Sequence, residues 1–543
     1  MDVLIVASGK SSRLINYTKD YIPKYLLNID NYPALITIIN YWKKYAHRFF
    51  LVIDDNYNTL TNFVIDHFLT ELKENIHIFN YNEQDGTACT IDYIYTNHLR
   101  QFNIKNLLIT WCDILPKEEL NLHHFKNYKK DINNLFVFTY GDNCRYLLDD
   151  NKIVANKNGN IIGIYYIENL EYNIKDIEKG KDIVEYFNNQ NNFNNIYEYE
   201  LKDLLDFGDE DKYKSIINLQ NSCDKITCRS FNEITIKNNN ILKKAINPKG
   251  VEVIKYEMNF YKYLLETNNE LINLFPKINN FYDTAYSMVY QKKYINLYKY
   301  LNNNNEQSNN NEQSNNEKQN NNEKIIVNII QKLNSLHMFN KKKISKNQFL
   351  YDIKAEIYDK IINRIKNIED IINYFPKFTK VNNLYIDDFT TIITKIQKYL
   401  FDFYETMDEY EYSIIHGDTN FSNILINPDN EEIKFIDPRG YFSKSEIFGL
   451  VDYDYAKLLY GISGYDNFNN HHFCVDSINE KEINFTIKTI NVSDEFINNN
   501  FNKVHKMLVV IIWLGLAEYN KNNIWKCITS YYHGLYLGTL LDL

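Results

Sequence analysis

Two groups of residues have types and spacings suited to phosphorus chemistry. The first lies in IIHGDTNFSNILINPDNEEIKFIDPRG, from Ile414 to Gly440. Asp418 and Asn423 are five positions apart, and Asp437 ends the next strand-like stretch. Transfer of a phosphoryl group to a hydroxyl needs such a set. One carboxylate orients the hydroxyl and accepts its proton, while an amide oxygen and a second carboxylate hold magnesium on the phosphates. The second group begins in ASGKSSRLINYTKDYIPKYLL, from Ala7 to Leu27, with Ser8, Gly9, Lys10, Ser11, Arg13 and Lys24. A turn of small residues after a strand lets backbone N–H groups approach phosphates. Arg13 and Lys24 add charge suited to a triphosphate, although any strand-to-helix loop can carry such residues. Gly86 and Thr87 open a helical stretch, Asp113 ends the strand-like NLLITWCD, and Asp206 stands in a turn before another helix. Two carboxylates at strand ends can hold one or two divalent cations against phosphates.

These residues need elements to position them. Over roughly the first 220 residues, strand and helix patterns alternate. The strands are VLIVA, RFFLVID, NIHIFNY and NLLITWCD; the helices are ALITIINYWKKYA, TLTNFVIDHFLTELK and TACTIDYIYTNHL. Such alternation predicts a Rossmann-like α/β domain with a parallel sheet covered on both faces. Ligands there sit beyond the carboxyl ends of the strands. From Cys223 the pattern becomes strand beside strand (KITCRSF, EITIK, ILKKAI), then a helix (VEVIKYEMNFYKYLLE), then the β-like AYSMVYQ. The remainder reads as helical, with one hairpin-like pair, NILIN and EIKFID. A small sheet followed by a helical body predicts a bilobal α+β arrangement.

In ILKKAI, Lys243 and Lys244 occupy opposite faces of one strand, so one of them can point inward. We take Lys244 as that residue, paired with Glu257 on the next helix; two lysines on an exposed edge strand are the alternative. No glycine-rich loop precedes the lysines. Arg439 suits either an anionic substrate or a salt bridge that positions the loop. Asp454 and His416 are read as ordering the loop, and His471-His472 as a solvated loop.

Composition narrows the function classes. The 543 residues carry 60 Lys and Arg against 70 Asp and Glu, a formal net charge of -10. A chain-wide positive field for nucleic acid is thereby excluded. The cysteine count is seven, odd and without a CxxC pair, which argues against a disulfide framework or a structural zinc. The start, MDVLIVASGK, lacks the basic region of a signal peptide, and the apolar run from Met507 to Ala517 is too short to span a bilayer. A cytoplasmic protein without a membrane span is expected; a homo-oligomer stays open. Asn302 to Lys324 holds no apolar residue and reads as a disordered loop. The expected domains are 1–222, 223–301 (small lobe and hinge), 302–324 (loop) and 325–543 (helical lobe).

The ordered set of Gly9, Arg13, Pro23-Lys24, Gly86-Thr87-Ala88, Asp113 and Asp206-Phe207-Gly208 resembles the nucleotidyltransferase family that makes sugar nucleotides and CDP-amino alcohols. Lys10 and Ser11 stand where that family usually has glycine. The resemblance implies that Ser8 to Arg13 hold the nucleotide phosphates and that Lys24 contacts the reacting phosphates. It implies that Gln84, Gly86 and Thr87 line the base site, and that Asp113 and Asp206 hold Mg2+. The HGD and IDPRG segments, with DYDYAKL after them, resemble the choline kinase and aminoglycoside phosphotransferase family, whose fold is protein-kinase-like. That implies Asp418 as the base, Asn423 and Asp437 as Mg2+ ligands, Lys244 and Glu257 in the ATP site, and YSMVYQ as the hinge that binds adenine by its backbone. A kinase makes phosphate esters and such a nucleotidyltransferase consumes one. The expected function is therefore two consecutive steps on one small molecule: ATP first, then a second NTP, with CTP and UTP favoured. CDP-choline synthesis is one variant. A protein kinase and a non-catalytic nucleotide-binding scaffold are the readings from other classes.

Overall fold

The structure is a computed structural model that describes residues 1–82, 86–121, 134–168, 182–188, 193, 195–222, 231–267, 270–306, 312–470 and 472–541. The chain divides into two compact units. The first is Met1–Ser222 with Asp370–Phe375 and Asn522–Ile524; the second is Cys223–Glu369, Pro376–Lys521 and Trp525–Leu543.

The first unit is built on a seven-stranded sheet. Its early strands are β1 (Asp2–Val6), β2 (Arg48–Ile53), β3 (Ile76–Asn80) and β4 (Leu107–Trp111). β1 is buried along its whole length, as a run of apolar residues covered on both faces must be. Then come β5 (Ile114–Pro116), the long β6 (Asn134–Asp149) and β7 (Lys152–Glu168), β8 (Asn195–Glu200) and β9 (Leu204–Asp206). The sheet order is β8-β6-β7-β4-β1-β2-β3. Helices α1 (Ala34–Trp42), α2 (Asn58–Phe68) and α3 (Thr87–Asn97) connect the early strands.

The expectation of a parallel sheet needs correction. β4, β1, β2 and β3 are parallel, but β7 runs antiparallel to both β4 and β6. The sheet is mixed because β6 and β7 form a hairpin, turned at Asp150-Asn151 with φ of 44° and 62°. The chain leaves β1 toward β2 and β3, then returns to the other side of β1 as β4. That reversal makes the carboxyl ends of β1 and β4 the natural ligand crevice.

The second unit opens with a four-stranded antiparallel sheet, formed by β10 (Asn232–Lys237), β11 (Asn240–Ala245), β12 (Ile278–Phe281) and β13 (Ala285–Val289). The expected KITCRSF strand lies almost wholly in 223–230, outside the described residues. Asn238 and Asn239, with φ of 50° and 65°, make the tight β10–β11 turn. Helix α4 (Pro248–Glu266) packs on this sheet. Asn247 caps it, accepting a hydrogen bond from Gly250 N at 3.0 Å, and Pro248 stands at its first turn.

A largely helical body follows, including α5 (Glu312–Phe339), α6 (Phe389–Glu405), α7 (Val451–Ile462), α8 (Lys503–Tyr519) and α9 (Ile524–Leu540). The predicted hairpin is present as β14 (Ile424–Ile426) against β15 (Ile433–Phe435). A further hairpin, Phe473–Ile478 with Glu482–Ile487, was not anticipated. The apolar run at Met507 is the buried part of α8. No helix among the described residues is long and apolar enough to cross a membrane.

The disordered-loop expectation for 302–324 is also corrected. Helix continues to Glu306 and resumes at Glu312, leaving 307–311 outside the described residues. Helix formation is costly to start and easy to extend. The apolar stretch from Ile325 can therefore carry the polar turns before it. Tertiary bonds hold the last residues of the tract. Asn322 Nδ2 donates to Asn491 O at 3.0 Å, and Glu323 Oε1 accepts from Ser493 N at 2.7 Å.

Candidate active sites

In the first unit the loop after β1 carries Ser8 to Arg13. Gly9, Lys10 and Arg13 are exposed, and a side-chain carbon at Gly9 would meet open space. Ser11 Oγ accepts from Lys24 N at 3.0 Å, which ties the loop to the lysine. Asp113, just past β4, is buried and forms an ion pair with Lys24. Burial alone would lower the Lys24 pKa; the Cys112 and Asp113 side chains outweigh it and hold the amine above its usual value.

Asp206 ends β9, which pairs antiparallel with β5 so that Asp206 stands opposite Ile114. Phe207 N donates to Asp113 O at 3.0 Å, and Gly208 N donates to Asp206 Oδ1 at 2.9 Å. A side-chain carbon at Gly208 would lie 2.9 Å from Asp113 Oδ2 and 3.3 Å from Asp206 Oδ1. The two carboxylates therefore flank one small space, which Gly208 keeps open. Lys212 pairs with Asp206 at 2.6 Å and Asp209 at 3.3 Å, so a second lysine borders it.

Gly86 has φ of 91° and starts α3, a geometry suited to glycine. The Thr87 hydroxyl donates to Asp182 Oδ1 at 3.2 Å and accepts from Ile183 N at 3.0 Å, so it anchors a neighbouring turn. Gln84 lies outside the described residues.

In the second unit the sequence motif folds into a tightly bonded loop. Asp454, fully buried, accepts from His416 N at 2.9 Å, Gly417 N at 2.6 Å and His337 Nε2 at 2.9 Å. His416 Nε2 meets Ile436 O at 2.9 Å, and burial pushes its pKa down. These contacts match the ordering roles expected for both residues. Asp466, unforeseen from sequence, accepts from Phe421 N at 3.0 Å and Ser422 N at 2.9 Å. Burial raises its pKa to about 6.

On this frame Asn423 Nδ2 donates to Asp418 Oδ2 at 3.0 Å and to Asp418 O at 2.9 Å. Ile436 N donates to Asn423 O at 3.0 Å, so the backbone just before Asp437 is tied to Asn423. Asp437 has φ of 55°, an uncommon backbone for a residue with a side chain.

The lysine assignment is corrected here. Lys243, not Lys244, faces inward: it is buried while Lys244 is exposed. Its Nζ lies 2.8 Å from Glu257 Oε2 and 3.0 Å from Asp437 Oδ1. Glu257 also accepts from Tyr286 OH at 2.8 Å. The cause is strand alternation, since Lys243 stands opposite Tyr286 on β13 and shares the inner face with Ala245. If the second unit uses ATP, as its motif leads one to expect, Lys243→Met should lower kcat/KM for ATP by about 10²-fold. Lys244→Met should change it by less than about twofold. Steady-state ATP kinetics, with thermal midpoints as a fold control, check both.

Arg439 takes the salt-bridge role. It pairs with Glu356 Oε2 at 2.8 Å, and its backbone N donates to His416 O at 2.7 Å. Burial works against the Glu356 charge, but Arg439 and Lys360 prevail and hold its pKa at about 2. Neither Glu356 nor Lys457, which lies 3.0 Å from Asp418 Oδ1, was picked from sequence. Lys457 was legible, standing one turn after Asp454 on α7; Glu356 had no local signal. His471 lies outside the described residues.

No group of three or more His, Cys, Asp or Glu able to hold a metal occurs among the described residues. Each crevice instead offers one or two carboxylates. That suits Mg2+, which commonly completes its shell with water and substrate phosphate oxygens.

No protein-family model matches the chain, and no curated protein does. Solved structures overlap its first part. Inositol-1-phosphate CTP transferase from T. maritima is 13% identical, covers 42% of this chain and 98% of its own, and gives a TM-score of 0.31. A nucleoside-diphosphate-sugar pyrophosphorylase from Vibrio cholerae is 17% identical, over 40% of this chain and 100% of its own, with a TM-score of 0.31. A UDP-glucose pyrophosphorylase solved with UDP-glucose is 14% identical, over 40% and 97%, with a TM-score of 0.32.

Proposed function

We propose that the chain is a cytoplasmic enzyme with two active sites. The second unit phosphorylates a small hydroxylated molecule with ATP. The first transfers a nucleotidyl group from a second NTP to that phosphate ester. The product would be an activated precursor for glycan or surface decoration. One observation carries this reading. Residues far apart in sequence and suited to phosphorus chemistry lie close together in each unit: Lys24 pairs with Asp113, whose carboxylate shares one small space with that of Asp206, while Asn423 donates to Asp418 and Lys243 pairs with Asp437.

In the kinase step Asp418 orients the acceptor hydroxyl and takes its proton as the oxygen attacks the γ-phosphorus and ADP leaves. Lys243 meets phosphate charge while Glu257 positions its amine. In the nucleotidyl step an ester oxygen attacks the α-phosphorus, and pyrophosphate departs. Lys24 and Arg13 offset the charge that accumulates there. Magnesium, when bound, would neutralise phosphate charge at Asn423 and Asp437 and at Asp113 and Asp206.

The test is a product screen on the full chain with Mg2+, ATP and a panel of sugars, polyols and amino alcohols. Each NTP is then added and products are read by mass spectrometry. A phosphate ester should form with ATP alone, and pyrophosphate only after one or two of the NTPs. Pyrophosphate release without a prior ester, or an ester that no NTP consumes, would refute the consecutive scheme.

A further inference from the structure

We infer that the kinase acceptor carries no positive charge near the hydroxyl that is phosphorylated: it is a sugar, polyol or hydroxy acid, not an amino alcohol. The inference rests on the kinase reading above and deepens it. Lys457 Nζ lies 3.0 Å from Asp418 Oδ1, with side chains only 15% and 12% exposed. In choline or ethanolamine the nitrogen is two carbons from the hydroxyl. A hydroxyl seated on Asp418 would bring that cation close to the Lys457 ammonium, and like charges repel strongly where water is scarce.

The features that usually receive an ammonium group are already engaged. Cations bind to the faces of aromatic rings. Here Lys457 lies 5.3 Å from the Tyr460 centroid and 5.9 Å from that of Tyr453, while Arg439 lies 4.1 Å from Tyr441 and 5.4 Å from Tyr453. The nearby carboxylates are paired as well. Glu356 holds Arg439 and Lys360, each at 2.8 Å, and Asp466 accepts the backbone N–H groups of Phe421 and Ser422. A neutral or anionic acceptor meets no such conflict, and Lys457 can donate to its second oxygen.

The test measures ADP release by the full chain with Mg-ATP. One arm uses sugars, polyols and hydroxy acids (glucose, glycerol and glycerate among them); the other uses choline and ethanolamine. The best non-cationic acceptor should exceed either amino alcohol at least tenfold in kcat/KM. Lys457→Met should narrow that ratio several-fold, and Lys457→Arg should retain it. Choline or ethanolamine as the best acceptor would overturn the inference and leave the kinase reading intact. An unchanged ratio in a folded Lys457→Met chain would also overturn it. Failure of every acceptor in both arms to raise ADP release would overturn the kinase reading and the inference together.

Discussion

Asp418→Asn is expected to reduce kcat for phosphorylation by about 10³-fold and to leave KM for ATP within about threefold. Asparagine keeps the volume and can still accept from Asn423, whose Nδ2 lies 3.0 Å from Asp418 Oδ2. What it loses is the ability to take the hydroxyl proton. The same change removes the charge partner of Lys457, so a drop in stability is also expected; leaving one member of a buried pair costs about 3 kcal/mol or more. The two effects separate experimentally. Thermal unfolding reports the loss of the pair, while single-turnover ADP formation at a temperature where the variant is folded reports the loss of the base. An Asp418→Asn chain that phosphorylates at near the native rate would remove this residue from the chemistry. Pyrophosphate release from supplied phosphate ester should be unchanged, since Asp418 belongs to the second unit.

Asp113→Asn is expected to show the reverse selectivity between the two reactions. Pyrophosphate release should fall at least about 10²-fold, and ATP-dependent ester formation should stay within about twofold. Asp113 pairs with Lys24 and shares the space above Gly208 with Asp206, so its charge acts on two neighbours at once. Neutralising it leaves Lys24 poorly compensated in a mostly buried position and weakens the carboxylate pair available to a cation. The readout is pyrophosphate from a supplied ester and NTP, beside ADP from ATP and acceptor in the same preparation. A parallel loss of both activities would mean that the two units do not act as separate sites.

Much of this arrangement was legible from residue types and spacing, and the failures have physical causes. The Asp418–Asn423 spacing encodes a loop whose own hydrogen bonds close it, so a local motif sufficed. Asp113 was readable because it closes the strand-like NLLITWCD in a unit whose alternation was clear, and Asp206 because Asp206-Phe207-Gly208 forms a turn before a helix. The lysine parity was not. In ILKKAI apolar residues occur at Ile241, Leu242, Ala245 and Ile246, so both faces look equally suited to burial. Only the register opposite Tyr286 resolves it. The mixed sheet had a weak signal in the Asp150-Asn151 pair between the short apolar stretches YLL and IVA, a turn that joins antiparallel strands. The asparagine tract misled because composition reports burial potential, whereas its helical end is continuous with the apolar stretch from Ile325 and Asn322 and Glu323 bond to Asn491 and Ser493, roughly 170 positions downstream. Glu356 reaches Arg439 from 83 positions upstream, and no local pattern marks it.

The claim on which the rest depends is that each unit holds its own divalent cation beside reacting phosphates. Anomalous diffraction from crystals grown with Mn2+, a non-hydrolysable ATP analogue and a second NTP addresses it directly. The account predicts manganese peaks in two places: between the Asp113 and Asp206 carboxylates, and between Asn423 and Asp437. A nucleotide-bound crystal with no manganese at either pair, or with manganese in only one unit, would contradict it.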